Sequence, residues 1–228
     1  MGQKIRPNSL RLGIIENWRS RWWPKKNYRE QLEEDVLIRR VIQKYATLAG
    51  IVRIDIERGA DNAHRITLKV ARPGLVIGHG GKGIEELSKT VIKALHKLYF
   101  ARHNFTQKIS VNLNVEELKR TEISAQYIAQ SIAWDIEKRI GTRRTIKKYL
   151  DLVMQNRDVE GGKILVSGRI DGNEIARRET LSKGKLPLQT LRANIDYGQV
   201  TSHNTYGSVG IKVWVYKGEV FDTREERK

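Results

Sequence analysis

Apolar residues recur along this chain with two different periods, and the places where the period changes divide it into elements. Over residues 28–49, Leu32, Val36, Leu37, Val41, Tyr45 and Leu48 fall mostly three and four apart, which predicts an amphipathic helix closed by Gly50. The period then drops to two. Residues 51–58 alternate apolar and charged positions, residues 65–71 do so again after a turn at 59–64, and Pro73 with Gly74 stops the second strand. Ile84, Leu87, Val91, Ile92, Leu95 and Leu98 mark one face of a further helix, and residues 108–113 read as a strand.

The second half repeats the change of period in larger pieces. Ile123, Ala125, Ile128, Ala129, Ile132, Ala133, Ile136 and Ile140 form a helical stripe, interrupted at Gly141 before Ile146, Leu150 and Val153 resume it. Past Gly161 and Gly162 the pattern is strand-like at 163–170, 173–180, 191–197 and 210–216. Helices followed by strands predict an α+β unit. The expected organisation is therefore an extension at 1–28, a first α+β domain at 29–114, a second at 115–217 and a charged tail at 218–228.

Composition narrows what such a protein can do. With 43 Lys and Arg against 26 Asp and Glu, the net charge is +17 on 228 residues, the balance of a polyanion binder. No apolar run reaches the roughly 18 residues of a membrane span. The N-terminus lacks the apolar core of a secretory signal, and Arg6 occupies the position where a myristoylated Gly2 requires Ser or Thr. The chain has no cysteine, so disulfides, thiolate metal sites and thiol nucleophiles are excluded, and a reducing cytoplasmic setting is expected. His64, His79, His96, His103 and His203 have no metal-ligand spacing. Neither a cofactor, a metal nor an enzymatic activity is expected.

The densest candidate chemistry is the turn Val76-Ile77-Gly78-His79-Gly80-Gly81-Lys82-Gly83, set before a helix start where unpaired N–H groups favour an anion. A P-loop would need glycine where Val76 stands and a hydroxyl where Gly83 stands. The dinucleotide fingerprint fits Gly78, Gly80 and Gly83 but lacks its acid about 20 residues on, since none lies between Glu86 and Glu116. A Gly-x-x-Gly clamp of the KH type fits Gly78-His79-Gly80-Gly81, gripping the backbone of a single-stranded nucleic acid. Such a glycine cluster also occurs as a plain loop, and the charge of the chain is what favours the clamp. The first-half order of helix, strand, strand, short helix, glycine turn, helix and strand is that of a type II KH domain, with helices on one face of a three-stranded mixed sheet.

Two further basic regions stand out. Lys4, Arg6, Arg11, Arg19 and Arg21 are interleaved with Trp18, Trp22 and Trp23, which suits either stacking on RNA or anchoring of the extension to its own core. Residues 138–148 contain no acid, and Arg143, Arg144, Lys147 and Lys148 fall at helical spacing on the side away from the apolar stripe.

With those residues in view, the chain resembles the bacterial-type small-subunit ribosomal protein S three family over nearly its whole length. Met1-Gly2-Gln3-Lys4, Arg11-Leu12-Gly13-Ile14, Ala71-Arg72-Pro73-Gly74-Leu75-Val76-Ile77-Gly78, Val166-Ser167-Gly168-Arg169-Ile170, Glu174-Ile175-Ala176-Arg177, Thr190-Leu191-Arg192-Ala193, Ile195-Asp196-Tyr197 and Gly210-Ile211-Lys212-Val213-Trp214 carry it. The resemblance implies a constituent of the small-subunit head that binds small-subunit ribosomal RNA and lies beside the channel by which messenger RNA enters. It implies proteins S ten and S fourteen as neighbours, with S four and S five around the channel mouth. It implies contact of Arg143, Arg144 and Lys147 with incoming messenger RNA, and help in unwinding it. The second domain is expected to pack two helices on a mainly antiparallel sheet. Relatives usually place basic residues between the two loop glycines, so with His79 and Gly80 there, phosphate contact is expected to rest on main-chain N–H groups, Lys82 and Arg72. The alternative is a free KH-domain RNA-binding regulator or ribosome assembly factor.

Overall fold

The structure, a computed structural model, describes residues 4–24, 27–59, 63–102, 109–119 and 122–221. The expectations for residues 1–3, for His103, for the strand start at 108 and for most of the charged tail lie outside the described residues. Two compact units emerge, one of residues 18–119 and one made of residues 1–17 together with 120–228.

In the unit of residues 18–119 a short strand β1 (Ser20–Arg21) precedes helix α2 (Tyr28–Tyr45), α1 being the turn Pro7–Leu10 of the other unit. Strands β2 (Ile51–Arg58) and β3 (Ala63–Val70), the short helix α3 (Pro73–Ile77), helix α4 (Lys82–Ala101) and strand β4 (Ser110–Glu117) follow. The sheet order is β1-β2-β3-β4, with β2 and β3 antiparallel and the two outer pairings parallel. The sheet is mixed, as expected, with β1 as an additional fourth strand. Ile38 and Ile42 of α2, and Leu87, Val91 and Leu95 of α4, close over Ile54, Ile56, Ile66 and Leu68 of the sheet, each almost or wholly buried. In α4 and the strands these are the positions that the apolar pattern marks, but α2 is turned from its expected face: Leu32, Val36, Tyr45 and Leu48 are exposed, Leu37 and Val41 only partly buried, and Ile38 and Ile42 form the face that packs on the sheet. The helix carries apolar residues on more than one side, so the three- and four-residue spacing allowed either face, and packing against the sheet chose between them.

The other unit contains helices α5 (Ala125–Glu137) and α6 (Thr142–Met154), then strands β5 (Gly161–Gly168), β6 (Arg177–Gly184), β7 (Ala193–Asn204) and β8 (Gly207–Glu219). The sheet is antiparallel throughout, in the order β6-β5-β8-β7. Ile128, Ile132 and Ile136 of α5 and Ile146, Leu150 and Val153 of α6 pack on Ile164, Val166, Ile211 and Val213. Helix α5 lies so close to β7 that a Cβ on Gly198 would stand 2.4 Å from the Ala125 carbonyl oxygen, which excludes any side chain there. Asp196, two residues earlier, accepts from the Ala125 N–H at 2.8 Å and caps the helix from the sheet.

The strands differ from their expected positions where the local pattern is weakest. The expected strand at 173–180 starts later, at Arg177, because Asp171 sits in a left-handed turn (φ 52°, ψ 28°) and residues 173–176 run on from it. Strand β7 continues to Asn204 and β8 begins at Gly207, so the two form a long hairpin through hydroxyl- and amide-bearing residues that carry no apolar alternation. At the other end β8 reaches Glu219, inside the stretch expected as tail, and residues 222–228 lie outside the described set.

The extension at 1–28 is not one arm. Residues up to Asn17 belong with β7 and the loop at 186–193, where Arg11 is hydrogen-bonded, whereas the segment from Trp18 belongs with the KH-type sheet. Arg39 holds that second segment, donating to the Ile54 carbonyl at 2.6 Å, the Arg19 carbonyl at 3.0 Å and the Ser20 hydroxyl at 2.9 Å. Among the described residues, no helix is long and apolar enough to cross a membrane.

Candidate nucleic-acid interface

The glycine turn joins α3 to α4, and its shape follows from four glycines. Pro73 begins α3 without losing a needed N–H, and the Gly78 N–H closes the helix on the Gly74 carbonyl at 3.0 Å. Gly78, Gly80 and Gly81 all have φ between 63° and 79°, which L side chains rarely adopt. Gly83 is required for another reason: a Cβ there would stand 2.5 Å from the Val76 oxygen, because α4 starts against the last carbonyls of α3. No side chain caps α4; the Lys82 N–H is taken by the His79 carbonyl, and the positive dipole end of the helix lies beside the turn.

Arg72, Gly78, His79, Gly80 and Lys82 are exposed and Gly81 is half-buried, so the structure brings the expected loop residues onto one surface. Opposite charge is close by. Glu85 in the first turn of α4 pairs with Lys89 at 3.7 Å, and Glu86 accepts from the Tyr45 hydroxyl at 3.3 Å. The loop is therefore a glycine-shaped turn with two exposed cations, Arg72 and Lys82, bordered by the carboxylates of Glu85 and Glu86.

Helix α6 is the stronger electropositive feature. Its N-cap, Gly141, has no side chain, and the cap comes from Asp171, whose Oδ1 accepts from the Thr142 N–H at 3.1 Å and the Thr142 hydroxyl at 2.8 Å. Thr142, Thr145 and Ile146 are buried, which turns Arg143, Arg144, Lys147 and Lys148 outward. The first turn of α6 carries no acid, so two arginines stand at the positive end of the dipole, an arrangement that favours an external anion. Lys148 differs from the other three. Its Nζ lies 3.7 Å from Asp135 and 5.2 Å from the Tyr149 ring centroid. Asp135 also accepts from the Tyr149 hydroxyl at 3.0 Å, and burial together with that bond pushes the phenol up to about 12.

The expected RNA-binding arm needs two corrections. Arg11 is 1 % exposed, and its guanidinium donates to the carbonyls of Ala193 at 2.6 Å, Thr190 at 2.8 Å, Leu188 at 3.0 Å and Pro7 at 3.1 Å. Fully engaged inside the protein, it cannot reach a phosphate. Trp22 is likewise an anchor, because its indole N–H donates to Asp35 at 2.8 Å, and the Arg58 guanidinium lies 5.4 Å from its ring centroid. Trp18 and Trp23 are the outward-facing indoles, at 65 % and 91 % exposure. Lys4, Arg6, Arg19 and Arg21 are exposed, with Arg21 in a surface pair with Glu57 at 3.2 Å.

A buried ionic cluster, missed at the level of sequence, lies behind Trp22. Arg58 donates to Glu34 at 2.6 Å and to Asp35 at 2.5 Å, and Arg102 reaches Glu33 and Glu34. The signal was present as Glu34 and Asp35, which fall three to four residues before Ile38 on the buried side of α2, with Glu33 exposed beside them. Among the described residues, no group of His, Asp and Glu is arranged to hold a metal ion.

Comparison with known proteins adds to this geometry. Residues 132–215 match the family described as ribosomal protein S3, C-terminal domain, and residues 37–123 match the KH domain family. The chain is 46% identical over 221 residues to the small ribosomal subunit protein uS3 of Carboxydothermus hydrogenoformans, covering 96% of this chain and 93% of that protein. It is 42% identical over 228 residues to the protein of the same name from Clostridium novyi, covering 100% and 97%. With that of Alkaliphilus oremlandii the identity is 42% over 225 residues, covering 98% and 89%.

Proposed function

The chain belongs to the uS3 family of small ribosomal subunit proteins, and from that premise we propose that it is a structural constituent of the small-subunit head that binds ribosomal RNA beside the channel where messenger RNA enters. Its role is structural rather than catalytic, and its place is the cytoplasmic ribosome. The observation that carries the reading is the first two turns of α6, which carry no acid; Asp151 follows a turn later and pairs with Lys183 at 3.1 Å. In those first turns Arg143, Arg144 and Lys147 stand exposed at an N-terminus whose own N–H and hydroxyl are already capped by Asp171. A rigid helix presenting three cations at the positive dipole end suits a phosphate backbone passing across it, and guanidinium groups held there can stabilise a strand as it separates from its duplex.

The glycine turn with Arg72 and Lys82 supplies a second RNA contact, and Lys4, Arg6, Arg19 and Arg21 a third. Lys148, tethered toward Asp135, contributes field more than direct contact. Small-subunit proteins S ten and S fourteen, with S four and S five at the channel mouth, are the expected neighbours.

The test replaces Arg143, Arg144 and Lys147 with alanine. The variant is expected to enter small subunits normally and to translate unstructured messages at the usual rate, but to slow on messages with stable hairpins. Equal rates on both templates would sink the messenger RNA role. Failure of the unaltered protein to sediment with small subunits at physiological salt would favour a free RNA-binding regulator.

A further inference from the structure

Helices α5 and α6 cover one face of the antiparallel sheet of the second unit, while α1 contacts β7 and Arg6 lies near enough to Tyr197 for its charge to act on that ring's hydroxyl. Ile164, Val166, Ile211 and Val213 point under α5 and α6, and the alternate residues necessarily point the other way. Cross-strand register aligns Lys163 of β5 with Trp214 of β8 and Trp214 with Tyr197 of β7, and places Leu165 beside Lys212 in the next row. Arg178 of β6 lies in the row after that, opposite Ser167. The remaining positions of these three rows carry only Ser, Thr, Gln or Gly. At the Trp214 end the same face is closed by Leu186 and Leu188 packing on Ile195 and Tyr216, and one side of Trp214 joins that cluster, but the three rows are half-buried or exposed throughout.

Their chemistry is unusual for a surface left to water. Three cations occur with no acid, around an aromatic pair whose ring centroids are 5.4 Å apart with planes tilted by 51°. The Lys163 ammonium stands 5.8 Å from the Trp214 ring centroid. Rows two residues apart along a strand are separated by about 6.8 Å. Three of them therefore offer a track long enough for two or three unstacked nucleotides, the number that an aromatic-bearing sheet of this kind accommodates.

We infer that this open sheet face is a stacking platform for single-stranded RNA, with a base on Trp214 and phosphates held by Lys163, Lys212 and Arg178. The inference rests on the ribosomal RNA-binding reading and names a site for it apart from α6 and the glycine turn. Charge decides the class of occupant: three cations without an acid fit a phosphodiester chain, and aromatic faces flanked by cations accept any base. A duplex keeps its base faces stacked on one another and cannot use the indole.

The experiment measures binding of the full-length protein to a short single-stranded RNA oligonucleotide and to a hairpin duplex, by fluorescence anisotropy across a salt series. Trp214→Leu is expected to weaken single-strand binding about tenfold, the contribution of one stacked base, and to spare duplex binding, with Trp214→Phe recovering most of the loss. Lys163→Gln with Lys212→Gln is expected to lower the single-strand salt slope by about 1.4, the effect of two phosphate contacts. The variant Arg143→Ala, Arg144→Ala, Lys147→Ala serves as the reference. Unchanged single-strand affinity in the Trp214 and double-lysine variants, with weakening in the reference, overturns the platform and leaves the α6 reading standing. Wild-type binding by all three overturns both. Equal losses on single strand and duplex overturn stacking as the basis. Should Trp214→Leu unfold, the double-lysine slope decides alone, and an unchanged slope overturns the proposal.

Discussion

The Arg11 Nε donates to the Ala193 carbonyl at 2.6 Å across 182 residues of sequence, and the same guanidinium reaches Thr190 and Leu188 in the loop that leads into β7. One side chain thus ties the start of the chain to a segment near its other end. Among the described residues no carboxylate hydrogen-bonds this buried cation, which sits among carbonyl dipoles, with the charge of Glu16 near enough to act on it.

Replacing Arg11 with alanine is therefore expected to destabilise the second unit by roughly 3 kcal/mol or more, since several buried carbonyls lose charged donors together. Arg11→Lys should recover only part of this, because an ammonium cannot reproduce the planar fork. Urea unfolding followed by tryptophan fluorescence checks it; a lysine variant as stable as the wild type would contradict the account.

Asp171 is expected to couple stability to RNA binding. Asp171→Ala removes the cap of α6 and should cost about 1–2 kcal/mol, while freeing the turn that carries Arg143 and Arg144. Thermal unfolding and RNA affinity measured on the same variant should both fall. Loss of one without the other would separate the cap from the interface.

The buried cluster in the KH-type unit makes Arg58 indispensable. Arg58→Met would leave Glu34 and Asp35, whose side chains are 5% and 4% exposed, without their main counter-charge, at a cost of roughly 3–5 kcal/mol. Equilibrium denaturation provides the measurement, and a change within experimental error would show that water enters the cluster freely.

His64 gives that unit a pH dependence. Its ring is 2 % exposed, neither nitrogen has a hydrogen-bond partner, and burial first, with Arg58 second, holds its pKa below the usual value despite Glu34 and Asp35. In the unfolded chain it titrates near 6.5, so below about that pH the unfolded state binds the extra proton. Stability should be full above pH of about 6.5 and decline as the pH falls toward the depressed folded value. Denaturation at successive pH values should show this decline in the wild type and a flatter profile in His64→Leu.

At the glycine turn, His79→Asp with Gly80→Asp should weaken RNA binding and flatten its salt dependence, since two carboxylates would face the phosphates proposed to bind there. Gly83→Ala should act differently, displacing α4 from α3 because its Cβ would meet the Val76 oxygen. Affinity and salt slope that do not move in the first variant would remove the turn from the interface.

Much of this protein was legible without coordinates, for physical reasons that individual residues make plain. Apolar residues at helical or alternating spacing, such as Leu87, Val91 and Leu95 or Ile54 and Ile56, can be buried in only one way, so the helices, the order of elements and the α+β class follow from pattern. The acid-free stretch around Arg143 and the run of glycines after Ile77 carried charge and backbone freedom on their face. What the pattern could not carry was pairing between residues distant in sequence. Arg11 and Trp22 look like RNA-binding groups until Ala193 and Asp35 are seen beside them, and no local signal distinguishes a cation facing solvent from one enclosed by carbonyls. The cap that Asp171 gives to α6 and the alignment of Lys163, Trp214 and Tyr197 into one row likewise exist only once strands are in register. Sequence by itself determined the kind and order of the elements and where positive charge accumulates, because those are local properties of composition and period, whereas in α2, apolar on more than one side, only packing chose the buried face. Tertiary structure decided which of those charges remain available to a partner, because availability depends on what the folded chain has already placed against them.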